Sequence, residues 1–420
     1  MTARNERTIV SVVNPICCGL DVHKESITAC ILFNDNKGKE QTIIQEFSTF
    51  TDDLFSFRDW LLIHNCPILA MESTGVYWHP VHNILEGYVE VILVNARDIK
   101  NVPGRKTDIK DSEWLAGLLR HGLLRSSFIP PKEVRVWRAL TRMRRKYVNS
   151  QSSYKKRVQK LFESANIKID SVVSDLFGVT GRNLMSLLAS GHTNITMKDI
   201  ENCVRGRLKS KQQELYRSIK GFFTEDHRFM LQTLLSTIAS LEDTIASLDQ
   251  RIDRYMIEHK ELLERLKEVP GISDISARDI IAEIGTTLDA FPSEAALASW
   301  CGLCPGNNES AGKRKNPKNH TWKNQLKPVM VEVAWAASRT KNTYYHDKYH
   351  RLKTRRGHKK ALVAIAHRIM NCLYHIIKDG VRYKELGIDY LDKKTKTAKL
   401  YRLQKQAESL GFQMIPITVV

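Results

Sequence analysis

The order of apolar segments between residues 16 and 94 narrows the possible folds more than any other feature of the chain. Five runs have the length and composition of strands: 16–22, 27–33, 41–47, 67–71 and 89–94. A helical pattern carried by Leu54, Phe57 and Leu61 lies between the third run and the fourth. Three strands in close succession, followed by strands that alternate with helices, predict an α/β domain with a mixed sheet. We expect this domain to end near residue 150.

The chain carries a large excess of positive charge. Its 420 residues include 65 Lys and Arg against 46 Asp and Glu, a formal net charge of +19. This excess favours a polyanionic partner, and nucleic acid is the first expectation. A membrane surface is the weaker alternative, because no apolar run approaches the ~20 residues that a spanning helix needs. With no secretory signal pattern and eight scattered cysteines, we expect reduced thiols and a cytoplasmic protein.

Two segments concentrate the cations, 132–160 and 311–360. In the first, Lys and Arg alternate with Trp and Tyr side chains that can stack on bases, although a solvated helix face would also explain them. Cations also lie just before Asp108. The predicted nucleic-acid contacts are Arg105, Lys106, Arg142, Arg144, Arg145, Lys313, Arg314, Lys315, Arg355 and Arg356.

Two patterns organise the middle of the chain. Apolar residues from Leu231 to Val269 repeat at intervals of three and four, which predicts a coiled coil and a homo-oligomer. Packing inside a helical hairpin of one chain would produce the same repeat. The repeat stops at Pro270-Gly271, and the Val-Pro-Gly-Ile turn there predicts a helix-hairpin-helix. Its glycine turn, followed by a helix that Ser273 can cap, suits a phosphate, and a plain helical hairpin is the alternative.

Carboxylates occur where strands and a helix meet. Asp21 ends the first apolar run, and Glu72 directly follows the fourth. Asp108 and Asp111 are one turn apart at the start of a helix, where Asp108 could simply be the N-cap. A carboxylate at the edge of a buried strand is costly unless it is paired or binds a cation. Four of them in a basic protein fit two-metal phosphodiester chemistry with Mg²⁺.

A serine lies far downstream in the turn-rich, basic stretch from Cys304 to Lys315. Isolated loop serines are usually solvated. Beside the four upstream carboxylates, however, Ser310 becomes a candidate nucleophile, and Lys313 and Arg314 would stabilise phosphate charge.

Four motifs in this order resemble the DEDD transposases of insertion sequences, a group now described as bridge-RNA-guided recombinases. The resemblance covers about residues 16–150 and 262–378. The motifs are Gly19-Leu-Asp21-Val-His-Lys24, Met71-Glu72-Ser-Thr-Gly-Val-Tyr-Trp78, Val102-Pro-Gly-Arg-Lys-Thr-Asp108-Ile-Lys-Asp111 and Cys304-Pro-Gly-Asn-Asn-Glu-Ser310-Ala-Gly-Lys313.

The resemblance implies a RuvC-like, RNase H-type domain joined through a coiled coil to a mostly helical transposase domain. In such enzymes a serine, here Ser310, forms a transient covalent phosphoserine link to DNA, and a structured RNA encoded by the element pairs with target and donor DNA. The site would combine two domains, from one chain or from two chains of a dimer or tetramer. The metal ligands for Mg²⁺, which Mn²⁺ can replace, would be Asp21, Glu72, Asp108 and Asp111.

On this basis the chain divides into a RuvC-like domain, a helical linker with the coiled coil, a transposase domain and a tail: 1–150, 151–265, 266–380 and 381–420. The expected setting is a prokaryotic cytoplasm, at the nucleoid. Two other functions stay open. One is a metal-dependent endonuclease or junction resolvase in which water attacks; the other is a nucleic-acid-binding scaffold without catalysis.

Overall fold

The computed structural model of the chain describes residues 11–73, 75–95, 111–191, 194–305, 309–310, 313–314 and 324–413. They form two compact units: Met1–Ile129, here unit 1, and Pro130–Val420, here unit 2. A single helix passes through residue 150. The fourfold domain division stays a prediction.

Unit 1 contains one five-stranded sheet. Its strands are β1 (Cys17–Val22), β2 (Ser26–Asn34), β3 (Glu40–Ser48), β4 (Ile68–Glu72) and β5 (Glu90–Val94). The order across the sheet is β3-β2-β1-β4-β5. β2 is antiparallel to both β1 and β3, whereas β4 runs parallel to β1 and β5 runs parallel to β4. The predicted mixed sheet is therefore confirmed.

Helices cover both faces of this sheet. They are α1 (Thr51–Ile63), α2 (Trp78–Leu85) and α3 (Asp111–Arg120). Alternate side chains of a strand point to opposite faces. On one face, Leu20 and Met71 pack with Phe57 of α1 and with α2. On the other, Cys17 and Ala70 pack with α3. The face covered by α3 also receives the side chains that follow Cys17 and Ala70 at two-residue intervals.

The described residues of unit 2 are helical apart from one short hairpin and the connecting segments. Its α-helices are α4 (Lys132–Ser164), α5 (Val179–Ala189), α6 (Met197–Cys203), α7 (Gln212–Ser218), α8 (Glu225–Met256), α9 (Lys260–Lys267), α10 (Asp274–Ile284), α11 (Glu294–Trp300), α12 (Leu326–Ala337), α13 (Tyr344–Arg356), α14 (His358–Lys378) and α15 (Tyr390–Ser409). The hairpin consists of β6 (Glu309–Ser310) and β7 (Lys313–Arg314). Short 3₁₀ turns lie at Ile169–Ser171, Gly206–Lys211 and Ile257–His259. The segment predicted as a tail thus contains α15.

The repeat from Leu231 to Val269 packs within one chain. α8 lies antiparallel to α4, as shown by hydrogen bonds from Arg144 to Asp249 and from Gln151 to Glu242. Leu231 and Ile238 of α8 share an apolar core with Val158 and Phe162 of α4. The helix ends at Met256, before the 3₁₀ turn that contains His259. This is the intramolecular alternative, and a coiled coil between chains is not confirmed.

The Val-Pro-Gly-Ile turn connects α9 to α10. Gly271 has φ +91°, and a Cβ there would lie 2.4 Å from the Val333 carbonyl oxygen, so only glycine lets the turn approach α12. Ser273 caps α10 by accepting a hydrogen bond from the Ser276 N–H. Lys267 forms an ion pair with Asp274. These contacts give the turn a packing role, and the helix-hairpin-helix as a nucleic-acid motif is not confirmed.

Candidate active site

Asp21 and Glu72 lie side by side on two neighbouring parallel strands. The register pairs Leu20 of β1 with Met71 of β4, so the next residues are level at the ends of their strands. Because Asp21 follows Cys17 at even spacing and Glu72 follows Ala70, both carboxylates belong to the face that α3 covers. The first two predicted ligands are thus at one edge of one face.

Asp111 is brought toward the same edge by the packing of α3. A Cβ at Gly19 would lie 2.0 Å from the Ser112 carbonyl oxygen and 2.3 Å from the Ala116 nitrogen, so backbone meets backbone at this glycine. The Cys17 thiol donates a hydrogen bond to the Ala116 carbonyl at 3.5 Å. The first turn of α3 therefore lies at the Asp21 end of β1, and Asp111 is the first residue of that helix.

The electrostatic surroundings of Asp21 suit a cation. Its side chain is 32% exposed, and Oδ2 lies 3.2 Å from Nε2 of His23. The Ser112 hydroxyl, next to Asp111, is fully buried and has no hydrogen-bond partner in the described part of the chain. Carboxylate oxygens are the ligands that Mg²⁺ prefers. The donor types suit a divalent ion.

The described residues do not complete a metal site. Among them, no group of three or more His, Cys, Asp or Glu side chains is placed to hold a metal ion. Asp108, the fourth predicted ligand, lies outside the described residues, as do Arg105 and Lys106. Lys315 also lies outside them.

Ser310 lies on the short hairpin of unit 2. In the antiparallel register, Ser310 of β6 is directly opposite Lys313 of β7, and Glu309 is opposite Arg314. The backbone therefore puts the predicted nucleophile across from one of the cations predicted to stabilise phosphate. Only the backbone of these four residues is described.

Asn324 ties together the two ends of the segment that carries Ser310. Its side-chain amide donates to the Trp300 carbonyl at 2.9 Å, and its Oδ1 accepts from the Leu326 N–H at 2.8 Å. Sequence reasoning missed this residue, although an Asn just before a helix is a recognisable signal. Cys301, near the start of the segment, is buried in the core, and burial raises the pKa of its thiol to about 12.

Three of the predicted nucleic-acid contacts on α4 form ion pairs inside unit 2. Arg142 binds Glu283 through two hydrogen bonds of 2.7 and 2.8 Å. Arg144 lies 2.6 Å from Asp249, and Arg145 lies 2.7 Å from Asp279. Their role as nucleic-acid contacts stays a prediction.

The signal that sequence reasoning passed over was a carboxylate inside an apolar run, Ile280-Ile-Ala-Glu283-Ile284. Glu283 is only 3% exposed, and it also pairs with Arg138 at 3.3 Å. Burial lowers the pKa of Arg138 to about 10, and Glu283 partly opposes that effect. Such a buried carboxylate needs cationic partners. By contrast, Arg355 and Arg356 are exposed in the last turn of α13.

Two family descriptions match the chain. The DEDD transposase description of the IS110 type matches residues 18–167, which include Asp21, Glu72 and Asp111. The description "Transposase IS116/IS110/IS902 family" matches residues 263–351, which include Ser310. The chain belongs to the IS110-type DEDD transposases. As a transposase it is an enzyme that cleaves and recombines DNA.

Other comparisons add less. The Thermus thermophilus RuvC structure aligns with 28% of this chain and 85% of its own, at 14% identity and a TM-score of 0.19, which is too low to support an argument from structural likeness. No curated protein matches the transposase chain. Within the described residues, none of the helices is long and apolar enough to cross a membrane.

Proposed function

We propose that this transposase cuts and exchanges DNA strands through a covalent phosphoserine intermediate, with Ser310 as the nucleophile. Asp21, Glu72, Asp108 and Asp111 would hold two divalent ions, Mg²⁺ in the cell. The observation that carries the proposal is the level placement of Asp21 and Glu72 on adjacent parallel strands, on the face where α3 begins with Asp111. Carboxylates concentrated in a chain of net charge +19 serve catalysis better than binding.

The covalent step balances without another reactant. Ser310 Oγ attacks a DNA phosphorus, a phosphorus–Oγ bond forms, and the bond from phosphorus to one sugar oxygen breaks. The serine hydroxyl loses its proton and the leaving sugar oxygen gains one. Attack on the phosphoserine by the hydroxyl of another strand reverses these changes and joins the strands, so the phosphodiester energy is conserved.

Each protein group has a defined part in this step. A serine hydroxyl is a weak nucleophile at neutral pH and needs activation. The bound ions would supply it by favouring the deprotonated oxygen and neutralising phosphate charge. The carboxylates of unit 1 would hold these ions, while Lys313 and Arg314 would offset the negative charge of the phosphate beside Ser310. The serine belongs to unit 2, so the proposal requires it to act from the same chain or from a second copy.

The wider assignments follow from the same proposal. The order β3-β2-β1-β4-β5, with β2 antiparallel, supports a RuvC-like, RNase H-type unit 1. Target and donor DNA would be selected by a structured RNA encoded with the element, and the basic charge of the chain suits both nucleic acids. A dimer or tetramer would bring two copies of the site to two DNA duplexes.

Trapping the DNA adduct tests the covalent step. With labelled DNA that carries the element's junction, Ser310→Ala should lower the denaturation-resistant protein–DNA adduct by about a thousandfold or more. Ser299→Ala, the same change at an exposed serine on α11, is the control and should leave the adduct unchanged. Hydrolysed ends without an adduct in the wild-type protein would instead establish water as the nucleophile.

Metal binding tests the carboxylates. Asp21→Asn should slow strand cleavage by roughly a hundredfold or more and abolish the rise in melting temperature that Mg²⁺ or Mn²⁺ gives the wild-type protein. A variant that retained both would refute the metal site. Full activity of Asp21→Asn would favour the scaffold alternative for unit 1.

A further inference from the structure

The C-terminal part of unit 2 forms an open cavity that the proposed chemistry does not use. It lies among α13, α14, the segment 381–386 and α15, and its volume is about 850 Å³. Pockets for small molecules and cofactors have volumes of roughly 300–1,000 Å³. We call it the C-terminal pocket. Sequence reasoning treated residues 381–420 as a tail and did not anticipate it.

The lining of the C-terminal pocket is strongly cationic. Seven Lys and Arg side chains line it, and no Asp or Glu does. Among the described residues, only one of the seven forms an ion pair, Arg382 with Glu268 at 3.2 Å. Lys348 of α13 has a lowered pKa because of burial and because of the positive charges of Arg368 and Lys394. Crowded cations without counter-charges repel one another, and an anionic ligand would relieve that repulsion.

Aromatic rings lie among these cations. Four tyrosines line the pocket: Tyr344, Tyr345, Tyr383 and Tyr390. The Tyr344 and Tyr390 rings meet edge to face with centroids 5.7 Å apart. The Tyr345 and Tyr383 rings are stacked, with centroids 6.3 Å apart and an interplanar angle of 18°. Rings beside Lys and Arg form the type of surface on which unpaired bases stack.

Three carboxylates of α13, α15 and the segment before α15 hold the walls of the pocket together. Arg351 of α13 donates to both oxygens of Asp392 on α15, at 2.9 and 2.7 Å, and also binds Asp347. Glu385 accepts hydrogen bonds from the Tyr344 N–H and the Tyr383 hydroxyl, each at 2.7 Å. These contacts hold α15 and the segment before it against α13. The pocket is therefore a formed site whose cations face the cavity.

We propose that the C-terminal pocket binds an unpaired nucleotide of a single-stranded nucleic acid. Lys348, Arg368 and Lys394 would contact its phosphate, and the ring of Tyr390 would stack against its base. The volume exceeds what a phosphate alone needs, and the tyrosines favour a base over an acidic peptide side chain. The site involves neither Ser310 nor the carboxylates of unit 1, so the inference goes beyond the proposed chemistry.

Binding of short oligonucleotides to the full chain tests the phosphate contacts. The probes are fluorescein-labelled single strands of about 12 nucleotides, one DNA and one RNA of the same sequence, and the matching DNA duplex. The variant Lys348→Ala/Arg368→Ala/Lys394→Ala should weaken single-strand binding at least tenfold. It should also flatten the slope of log K against log[salt] by about 2, because each single-strand contact contributes ~0.7.

A matched control removes two Lys and one Arg elsewhere in unit 2. Lys198→Ala/Arg207→Ala/Lys209→Ala changes three exposed side chains and the same total charge. It should leave affinity and salt slope near wild type. An equal loss in both triple variants would show a diffuse charge effect and would overturn the proposal.

The aromatic contact has its own test. Tyr390→Leu should weaken single-strand binding about tenfold, and Tyr390→Phe should retain it, because stacking needs the ring but not the hydroxyl. Weaker binding of the RNA probe, the DNA probe or both supports the pocket and identifies the strand it takes. Unchanged binding of both probes by Tyr390→Leu, or a loss confined to the duplex, would overturn it. The proposal would also be overturned if a polyglutamate peptide bound through Lys348, Arg368 and Lys394 while the triple alanine variant kept its affinities for the nucleic-acid probes.

Photocrosslinking of the wild-type chain covers the case in which a variant fails to fold. A 4-thiouridine or 4-thiothymidine strand should crosslink to peptides within 344–348, 368–376 or 381–402, and crosslinks that exclude all three ranges would contradict the site. Ser310→Ala should bind the probes normally. DNA cleavage and binding at the C-terminal pocket are therefore measured separately. Each proposal can be refuted without the other.

Discussion

Substitution of Gly19 by alanine probes both the fold of unit 1 and the placement of its carboxylates. A Cβ at this position would lie 2.0 Å from the Ser112 carbonyl oxygen and 2.3 Å from the Ala116 nitrogen. Ordinary contacts of a Cβ begin near 3.4 Å, so α3 would have to move by about 1.4 Å from β1. Both obstacles are backbone atoms, which cannot be relieved by a side-chain rotation.

The size of the effect combines overpacking with weaker dispersion attraction once α3 has moved away from β1. Extra methylenes in a packed core cost about 1–3 kcal/mol and occasionally more. A gap of 0.5–1 Å already removes about a quarter to a half of the attraction between two packed atoms, and the core of Cys17, Ala70 and Leu119 would open. We therefore expect Gly19→Ala to lower the free energy of unfolding of unit 1 by ~3 kcal/mol or more. The same movement would separate Asp111 from Asp21, and on the proposed function it would weaken binding of Mg²⁺.

Gly117→Ala is the control on the same helix. A Cβ at Gly117 meets nothing within 4 Å, and alanine is favoured over glycine in a helix by about 1 kcal/mol. The two identical substitutions should thus have opposite signs. Urea unfolding monitored by hydrogen exchange of peptides from β1 and α3 measures both. The packing argument is refuted if Gly19→Ala has the wild-type urea midpoint, or if Gly117→Ala destabilises as much.

Two further predictions concern buried ionisable groups. Glu283→Gln leaves Arg138 buried without its counter-charge, so it should lower the free energy of unfolding of unit 2 by about 3 kcal/mol. Arg142→Ala separates the ion pair with Glu283 from the predicted nucleic-acid contact, because an ion-pair role alone leaves the salt dependence of DNA binding unchanged. Urea unfolding and a salt titration measure these effects; a slope reduced by about 1 in a stable Arg142→Ala would show phosphate contact instead. Burial raises the pKa of Cys17 and Cys30 from 9.0 to about 12, so folded unit 1 retains thiol protons that the unfolded chain releases. The contribution of these thiols to stability is complete below about pH 9 and should fall as the pH rises toward 12. In Cys17→Ala/Cys30→Ala the urea midpoint should therefore decline less steeply at alkaline pH than in the wild-type protein. An equal decline in both proteins would contradict the pKa difference.

The strand pattern was readable from sequence because it depends on local alternation. The apolar runs became β1 to β5 with small changes at their ends, and the mixed sheet was confirmed. The order of the motifs also identified the transposase family, because each motif is a short local stretch and their order can be read directly along the chain. The sequence alone did not show that Asp21 and Glu72 lie at the same edge of the sheet. That placement follows from the register of β1 with β4.

The helical repeat shows the opposite case. A spacing of three and four residues indicates that one face of α8 is apolar, but it does not identify the helix that packs against that face. The partner is α4 of the same chain, through contacts such as Arg144 with Asp249. The cations of α4 were likewise visible as charges, while the carboxylates that engage them come from residues about 100 or more positions away.

The amino-acid sequence by itself determined the periodicities, the charge balance and the order of the family motifs, because each depends on neighbours along the chain. Tertiary structure alone decided which of those groups meet. It made Gly19 a contact point for α3 and assigned Arg142 to Glu283. It also formed a cationic, tyrosine-lined pocket whose wall includes a segment that lacks any motif. Long-range packing selects partners by shape and charge in three dimensions, and that information is spread over many distant residues.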